Sequence, residues 1–284
     1  MKTSVYVPSH ITGIFNIEEH INPLKKGSCG VGILLDKGVI TTVKESSKDK
    51  IAIKINGKKD KFNEIIIKET LKLLKITSNL KITQEIQVPV GCGFGTSASS
   101  ALGVAIAISN SLNLGHDLIS SGKIAHNAEI NLGSGLGDVI AETSKGLVYR
   151  TKAGGPGYGN VLEIKIPDEL YVGTKTFDSI NTKDIITDSS YKNKINLIGC
   201  KLLDKFSLNP NLENFLKYSL EFSKKTNLIS SEVLKEVNKL NSDKDILGSS
   251  MAMLGNTVFA ISENKESLND LNIYKVDTEG IKID

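Results

Sequence analysis

Alternating apolar and polar residues predict several short β-strands near the start of the chain. The pattern covers residues 3–7, 30–35, 39–43 and 51–55. Successive side chains of a strand point to opposite faces, so such alternation is typical of a sheet with one buried face. Between two of these runs, Asp36-Lys37-Gly38 has the composition of a tight turn. The sequence therefore predicts a β-hairpin over residues 30–43.

The predicted strands are followed by a segment in which apolar residues recur at helical spacing. Residues 62–74 are therefore predicted to form an amphipathic helix, and a strand is expected over residues 81–88. Residues 97–112 are apolar or small on every side, which predicts a fully buried helix. Further helices are expected over residues 117–130 and 136–144, and a strand over residues 147–150.

The pattern of apolar and polar residues changes beyond about residue 168, where it predicts longer amphipathic helices. Two apolar faces carry this prediction, one formed by Leu212, Phe215, Leu216 and Leu220, the other by Ile229, Val233, Val237 and Leu240. Strands are expected over residues 257–261, 272–276 and 280–283. The pattern predicts a mixed chain with a helix-rich second half.

Composition excludes several classes of function. The 284 residues are 39% hydrophobic and 24% charged, with a mean hydropathy of −0.08, which is typical of a globular protein. A net charge of +3 and an aromatic content of 5% argue against a nucleic-acid partner. Apolar runs are too short for export or membrane insertion. The three cysteines lack metal-site spacing, so we expect a reducing cytoplasm.

The most informative segment is the glycine loop, residues 89–98, which reads Pro-Val-Gly-Cys-Gly-Phe-Gly-Thr-Ser-Ala. It lies between a predicted strand and the predicted buried helix. Alternating glycines let the backbone turn its amides towards a guest, and a helix N-terminus adds unpaired N–H groups and positive dipole charge. The segment therefore suits a phosphate group.

Three other interpretations of the glycine loop follow from its residues. A P-loop requires a lysine directly after its last glycine, and Thr96 stands there instead. The match to G-x-G-x-x-A formally permits a dinucleotide site, although Asp117, at about the required distance, opens a predicted helix. A purely structural glycine turn is the third possibility. On the residues alone, the last two stay open.

The glycine loop resembles the ATP-binding loop of the GHMP kinases. Two further segments agree in order, residues 7–13 (Val-Pro-Ser-His-Ile-Thr-Gly) and residues 248–255 (Gly-Ser-Ser-Met-Ala-Met-Leu-Gly). With residues 27–32 and 135–139, the combination is similar to the archaeal pantoate kinases. The resemblance implies a two-domain α+β fold, with a β-rich ATP-binding domain over residues 1–167 and a helix-rich domain over residues 168–284.

The same resemblance implies the reaction and its site residues. The expected reaction transfers the γ-phosphate of ATP to the 4-hydroxyl of pantoate, a step towards coenzyme A, with Mg²⁺ as the cofactor. Ser97 and Glu129 match the family's metal ligands, and Asp138 its catalytic aspartate. Taken alone, Ser97 and Asp138 could be helix caps. The ATP-binding residues implied are Pro89, Gly91, Gly93, Gly95, Thr96, Ser97 and Ala98.

Three residues are candidates for binding the acceptor. Arg150 is the only arginine among 35 basic residues, and its planar fork suits the carboxylate of pantoate. The resemblance adds His10 and Ser28, although a core histidine and a simple turn are the structural alternatives. A surface ion pair is the alternative for Arg150.

Other functions remain possible at this point. A GHMP kinase acting on mevalonate, homoserine or shikimate would share these motifs. A ligand-binding sensor without turnover is a second alternative, but it would not need Ser97, Glu129 and Asp138 together. A nicotinamide oxidoreductase is a third, and it would bind its cofactor at the G-x-G-x-x-A match. We expect a cytoplasmic enzyme, in which a homodimer is possible.

Overall fold

The computed structural model describes residues 2–47, 51–60, 64–178, 185 and 188–284. The strands are β1 (Lys2–Phe15), β2 (Gly30–Glu45), β3 (Ile51–Ile55), β4 (Leu80–Ile86), β5 (Leu147–Lys152), β6 (Asn160–Ile164), β7 (Tyr171–Asp178), β8 (Gly248–Ala252), β9 (Asn256–Ser262), β10 (Asn272–Lys275) and β11 (Lys282–Ile283). The helices are α1 (Glu64–Leu73), α2 (Thr96–Ser111), α3 (Leu118–Leu132), α4 (Asp138–Ala141), α5 (Ser189–Leu208), α6 (Leu212–Thr226) and α7 (Ser231–Leu240), with a 3₁₀ turn at Lys265–Leu268. The expected mixture of helix and strand is confirmed.

Two sheets organise the chain. The first has seven strands in the order β11-β1-β2-β4-β3, with β5 pairing β2 and β6 pairing β5. The second has four strands in the order β10-β7-β9-β8. The predicted boundary between residues 167 and 168 falls between β6 and β7, which belong to different sheets. That the two parts are separate domains stays a prediction, because β11 at the end of the chain returns to the first sheet.

The hairpin predicted over residues 30–43 is wrong. Strand β2 is continuous and pairs antiparallel with β1 on both sides of the expected turn. Pro8 pairs with Gly38 and Ser9 with Leu35, so two residues bulge out between them. A Cβ on Gly38 would lie 2.0 Å from the Val7 carbonyl oxygen, so this glycine permits close approach of the backbones. Turn-like residues here form a bulge opposite Pro8, which cannot donate a ladder hydrogen bond.

Helix α2 is buried, as predicted. It packs against β1 and β2, with α1 and α3 on its other sides. Gly103 allows this contact, since a Cβ there would lie 2.6 Å from Thr41 Oγ1. Gln84 Nε2 donates to Thr41 Oγ1 at 2.9 Å and to the Ser100 carbonyl at 3.1 Å, which links β4, β2 and α2 through one side chain. The helix is thereby fixed with its first turn at the glycine loop.

Other predicted elements differ from the structure in extent. The helix expected over residues 136–144 is only the single turn α4, and residues 62–63 of the first predicted helix lie outside the described residues. Strands β6 to β8 and helix α5 were not predicted. None of the helices in the described ranges combines the length and apolar character needed to cross a bilayer.

Helices α5 and α6 join the two halves by packing on β1. Aromatic pairs mark this junction. Phe15 meets Phe222 edge-on with ring centroids 5.5 Å apart, and Tyr149 meets Phe206 at 5.3 Å. Such pairs add stabilisation beyond the area that they bury. Strand β1 is therefore covered by helices of the second half.

We expect Gly199→Ala to lower the free energy of unfolding by about 1–3 kcal/mol, the usual range for overpacking. A Cβ on this residue of α5 would lie 2.1 Å from the carbonyl oxygen of Phe15, and a backbone atom cannot move aside cheaply. Thermal and denaturant unfolding measure the effect. Leu197→Ala on the same helix is the matched control, because that side chain is 76% exposed. Equal stability of the two variants would contradict this packing.

Candidate functional site

A cavity with a volume of about 780 Å³ lies where the glycine loop meets the loop between α3 and α4. Its walls include residues 132–138 and side chains from β1 and β5. The glycine-loop residues that line it are Val90, Gly91, Gly93, Phe94, Gly95, Thr96 and Ser97. Of the predicted ATP-binding residues, Pro89 and Ala98 do not line it, and Ala98 is fully buried. The remaining five share one wall.

The backbone of the glycine loop has the conformation that an anion site needs. Gly91, Gly93 and Gly95 have positive φ angles of 71°, 86° and 66°, a region that other residues rarely adopt. Gly95 is the N-cap of α2, and no side chain caps the helix there. The amides at the N-terminus of a 16-residue helix are therefore free of a side-chain acceptor at the cavity wall.

The segment that supports the glycine loop comes from the end of the second half. A Cβ on Gly93 would lie 3.1 Å from the Met253 carbonyl oxygen, and one on Gly255 would lie 2.0 Å from the Cys92 carbonyl oxygen. Residues Gly248–Ala252 form strand β8, and the turn that follows the strand makes the contact with the glycine loop.

Ser97 and Glu129 are brought together below the glycine loop. The hydroxyls of Ser97 and Ser134 each donate to Glu129 Oε1 at 2.5 Å. Ser97 is therefore not a simple helix cap. Burial, with a smaller contribution from the charge of Asp138, raises the pKa of Glu129 to about 7, although the hydroxyls of Ser134 and Ser97 oppose the rise. Gly135 leaves room for this carboxylate, because a Cβ there would lie 1.8 Å from Glu129 Oε2.

This pair fits a small, hard divalent cation. Magnesium prefers oxygen ligands and binds through one or two protein groups together with water and substrate phosphates. Within the described residues, no group of three or more His, Cys, Asp or Glu side chains converges to hold a metal ion. The donor set of Ser97 and Glu129 therefore suits a cation shared with a nucleotide rather than one held by the protein alone.

Asp138 is the first residue of α4 and lies beside the glycine loop, because a Cβ on Gly95 would lie 3.4 Å from Asp138 Cβ. Its side chain is 27% exposed, and its Oδ1 lies 2.8 Å from Nδ1 of His10, which is completely buried. Burial alone would raise the pKa of Asp138, but the hydrogen bond from His10 and the positive charge of Arg150 outweigh it and lower the pKa. The carboxylate is therefore ionised at neutral pH.

His10 sits behind Asp138 and not at the surface of the cavity. Burial lowers its pKa, with the charge of Arg150 adding to the effect, so the ring is neutral. Nδ1–H then donates to Asp138, which leaves Nε2 as the acceptor for Arg150 Nη1 at 3.4 Å. The predicted contact of His10 with a substrate stays a prediction, and the geometry instead favours a role in orienting Asp138.

Arg150 is buried in β5, only 1% exposed, yet it lines the cavity. Its two terminal nitrogens lie 3.5 and 3.4 Å from Thr12 Oγ1, and its Nε has no hydrogen-bond partner in the described structure. Ser28 lines the same wall. Both border Gly137, whose Cβ would lie 2.3 Å from Ser28 Oγ and 2.9 Å from Arg150 Nε. A surface ion pair is thus excluded for Arg150, and its free donor suits an anionic group.

Sequence reasoning missed one ionisable group at this site. Glu142 follows α4 and is completely buried beside Gly95. The available signal was its spacing, because residues four apart share a helix face and Asp138 is already a candidate. Thr12 was also missed.

Comparison with known proteins agrees with this geometry. The family model "GHMP kinases N terminal domain" matches residues 64–146. Pantoate kinase of Methanocaldococcus jannaschii is 38% identical, covering 95% of this chain and 97% of that protein. Pantoate kinase of Thermococcus kodakarensis is 30% identical, covering 96% of this chain and 94% of that protein.

A solved structure extends the agreement to the whole fold. A "Phosphotransferase related to CoA biosynthesis pathway" has a TM-score of 0.87 and 29% identity, covering 100% of this chain and 99% of that one. The α+β fold of the GHMP kinases and the ATP-dependent kinase activity, both implied by the resemblance, are confirmed. The chain therefore belongs to the pantoate kinase family of the GHMP kinases.

Proposed function

We propose that this protein transfers the γ-phosphate of ATP to the 4-hydroxyl of pantoate, giving ADP and 4-phosphopantoate. One observation carries the proposal. An ionised carboxylate (Asp138) and a guanidinium with a free donor (Arg150) line the same cavity as an open glycine loop. A nucleotide, a hydroxyl group and a carboxylate are the three groups that such walls would bind. The relatives named as pantoate kinases support this choice of acceptor.

The nucleotide binds at the glycine loop in this proposal. Main-chain amides of Gly93, Gly95 and Thr96 face its phosphates at the N-terminus of α2. Ser97 and Glu129 hold Mg²⁺, which when bound neutralises charge on the phosphate oxygens. Glu129 must be ionised for this, and a nearby cation favours its ionised form.

Asp138 acts on the acceptor hydroxyl. The hydroxyl oxygen forms a bond to the γ-phosphorus while the bond from that phosphorus to the ADP oxygen breaks. The hydroxyl proton passes to the carboxylate of Asp138, which is ionised and therefore able to accept it. Oδ1 is engaged by His10, so the carboxylate has a fixed orientation. His10 is a positioning residue in this scheme.

The carboxylate of pantoate binds at Arg150 and Ser28. Arg150 and Ser28 both line this wall of the cavity, where the guanidinium and the Ser28 hydroxyl are hydrogen-bond donors. Charge-assisted hydrogen bonds are roughly twice as strong as neutral ones, and Arg150 is only 1% exposed. Specificity for an acidic acceptor follows from this wall.

The test is an ADP-release assay with Mg-ATP and four acceptors: pantoate, mevalonate, homoserine and shikimate. We expect pantoate to be the preferred acceptor, with the phosphorylated product identified by ³¹P NMR. Preference for another acceptor would overturn pantoate and keep the kinase, whereas ATP binding without turnover would favour a sensor. An NADH absorbance change with a hydroxy acid would favour an oxidoreductase instead.

Ser97→Ala is expected to lower kcat/KM for ATP by about 10–100-fold, the loss of one charge-assisted contact, and to raise the Mg²⁺ concentration needed for half-maximal rate. The matched variant is Ser134→Ala. It removes an equally short hydrogen bond to Glu129 but no proposed metal ligand. Titration of both variants with Mg²⁺ makes the comparison. If they lost activity equally, Ser97 would act only through Glu129.

The proposal also covers the location of the protein, its partners and its assembly. The cysteines support a cytoplasmic location, and the low net charge supports the absence of a nucleic-acid partner. A homodimer is a possible assembly. Analytical ultracentrifugation of the purified protein tests the last of these.

A further inference from the structure

Glu142 is a buried acid directly beneath the glycine loop, and the reaction described above does not use it. Its side chain is completely inaccessible, and its backbone amide donates to the Asp138 carbonyl at 2.8 Å. A Cβ on Gly95 would lie 2.4 Å from Glu142 Oε1. The carboxyl group therefore rests against the third glycine of the loop, on the side away from the bulk solvent.

Neither carboxyl oxygen of Glu142 has a hydrogen-bond partner among the described residues. Ser99 is nearby, but its hydroxyl donates to the main-chain oxygens of Pro8 and Gly95. A buried carboxylate without partners is strongly disfavoured, whereas a neutral carboxylic acid costs much less. The contacts alone therefore point to the protonated form.

The surrounding charges favour the same form. Burial raises the pKa of Glu142 well above its ordinary value, and the charges of Asp138 and Glu129 raise it further. Arg150 and the nearby Ser99 hydroxyl oppose them. The groups that face Glu142 therefore come from four elements: Asp138 from α4, Glu129 from α3, Arg150 from β5 and Ser99 from α2. From β1, the phenol of Tyr6 faces this acid as well and would stay neutral beside it, because burial and several carboxylates, Glu142 included, raise its pKa.

We propose that Glu142 is a positioning residue of the glycine loop: as a neutral acid it supports Gly95 and keeps a third negative charge away from the nucleotide phosphates. The inference rests on the proposed function only in that the glycine loop binds phosphates. It does not depend on which acceptor is phosphorylated. An ionised Glu142 would lie beneath the amides that face the phosphates, and its negative charge would repel the phosphates.

The experiment compares the wild-type protein with Glu142→Gln, which is always neutral and nearly the same shape. Binding of Mg-ATP and of adenosine is measured without an acceptor, from neutral to alkaline pH. We expect equal Mg-ATP affinity within about 2-fold at neutral pH, then a fall of about 10-fold in the wild type at alkaline pH and none in the variant. Adenosine, which carries no phosphate, should show no such difference. Glu163→Gln, at an exposed site on β6, is the control and should follow the wild type.

Infrared spectroscopy of the wild-type protein gives an independent readout that needs no folded variant at position 142. Glu129, with a pKa of about 7, also contributes a carboxylic acid band at neutral pH, so the band is followed above the pH at which Glu129 ionises. There a carboxylic acid band should persist, and it should disappear at the pH where Mg-ATP affinity falls. Absence of any such band above the pH at which Glu129 ionises would overturn the proposal. So would the same pH dependence of Mg-ATP binding in wild type and Glu142→Gln, or loss of binding in Glu142→Gln at neutral pH. Failure of all three proteins to bind Mg-ATP would instead contradict the proposed function.

Discussion

Replacing Asp138 by asparagine is expected to reduce kcat by about 10²–10⁴-fold, the usual contribution of a general base. Asparagine keeps the size of the side chain and can still pair with His10, but it cannot take a proton from the acceptor hydroxyl. Mg-ATP binding should change little, because the variant keeps the amides of the glycine loop and the proposed Mg²⁺ ligands Ser97 and Glu129. Steady-state ADP release with pantoate, together with nucleotide binding, separates the two effects.

Asp168→Asn provides the control for this variant, because Asp168 is exposed and outside the cavity. It should have the wild-type kcat. Thermal unfolding of both variants checks that any loss is chemical. A wild-type kcat in folded Asp138→Asn would remove Asp138 from the mechanism and leave phosphate positioning alone to account for the rate.

The second large effect is expected for Arg150→Lys. The KM for pantoate should rise by about 10–100-fold, as when a charge-assisted hydrogen bond is lost in a buried site, with a smaller change in kcat and none in the KM for ATP. Lysine keeps the charge but cannot reproduce the planar fork or the Nε donor that lacks a partner in this structure. Steady-state kinetics with each substrate varied in turn measures the separation.

Two comparisons make this result specific. Lys152→Ala, at an exposed position on the same strand, should keep the wild-type KM for pantoate. The amide of pantoate, which carries no carboxylate, should distinguish poorly between wild type and Arg150→Lys. An unchanged KM for pantoate in Arg150→Lys would mean that the carboxylate binds elsewhere.

The parts of the fold that local pattern determines were predicted well. Helix α2 is apolar on all sides, and the glycine loop before it needs positive φ angles, so both were visible in the sequence. The hairpin prediction was wrong, because Asp36-Lys37-Gly38 has the same composition as a turn. Only its pairing with Pro8, a distant residue, makes it a bulge. Local propensity cannot distinguish these two outcomes.

The site was predicted in part for the same reason. Ser97, Glu129, Asp138 and Arg150 stood in recognisable motifs, and the structure brings them to one cavity. The burial of His10 behind Asp138 depends on a contact across 128 residues of sequence, which alternation within β1 does not reveal. Glu142 resembles an ordinary charged helix residue until the fold encloses it. Such groups become visible only when tertiary contacts are known.

The central place of β1 has a consequence for how the protein acquires activity during synthesis. This strand leaves the ribosome before its partners, which include β2, α5, α6 and β11 (Lys282–Ile283). Long-range pairing of this kind is slow to form. We therefore expect nascent chains released before α5 and α6 to leave the apolar face of β1 uncovered, which makes the growing polypeptide a natural client for chaperones.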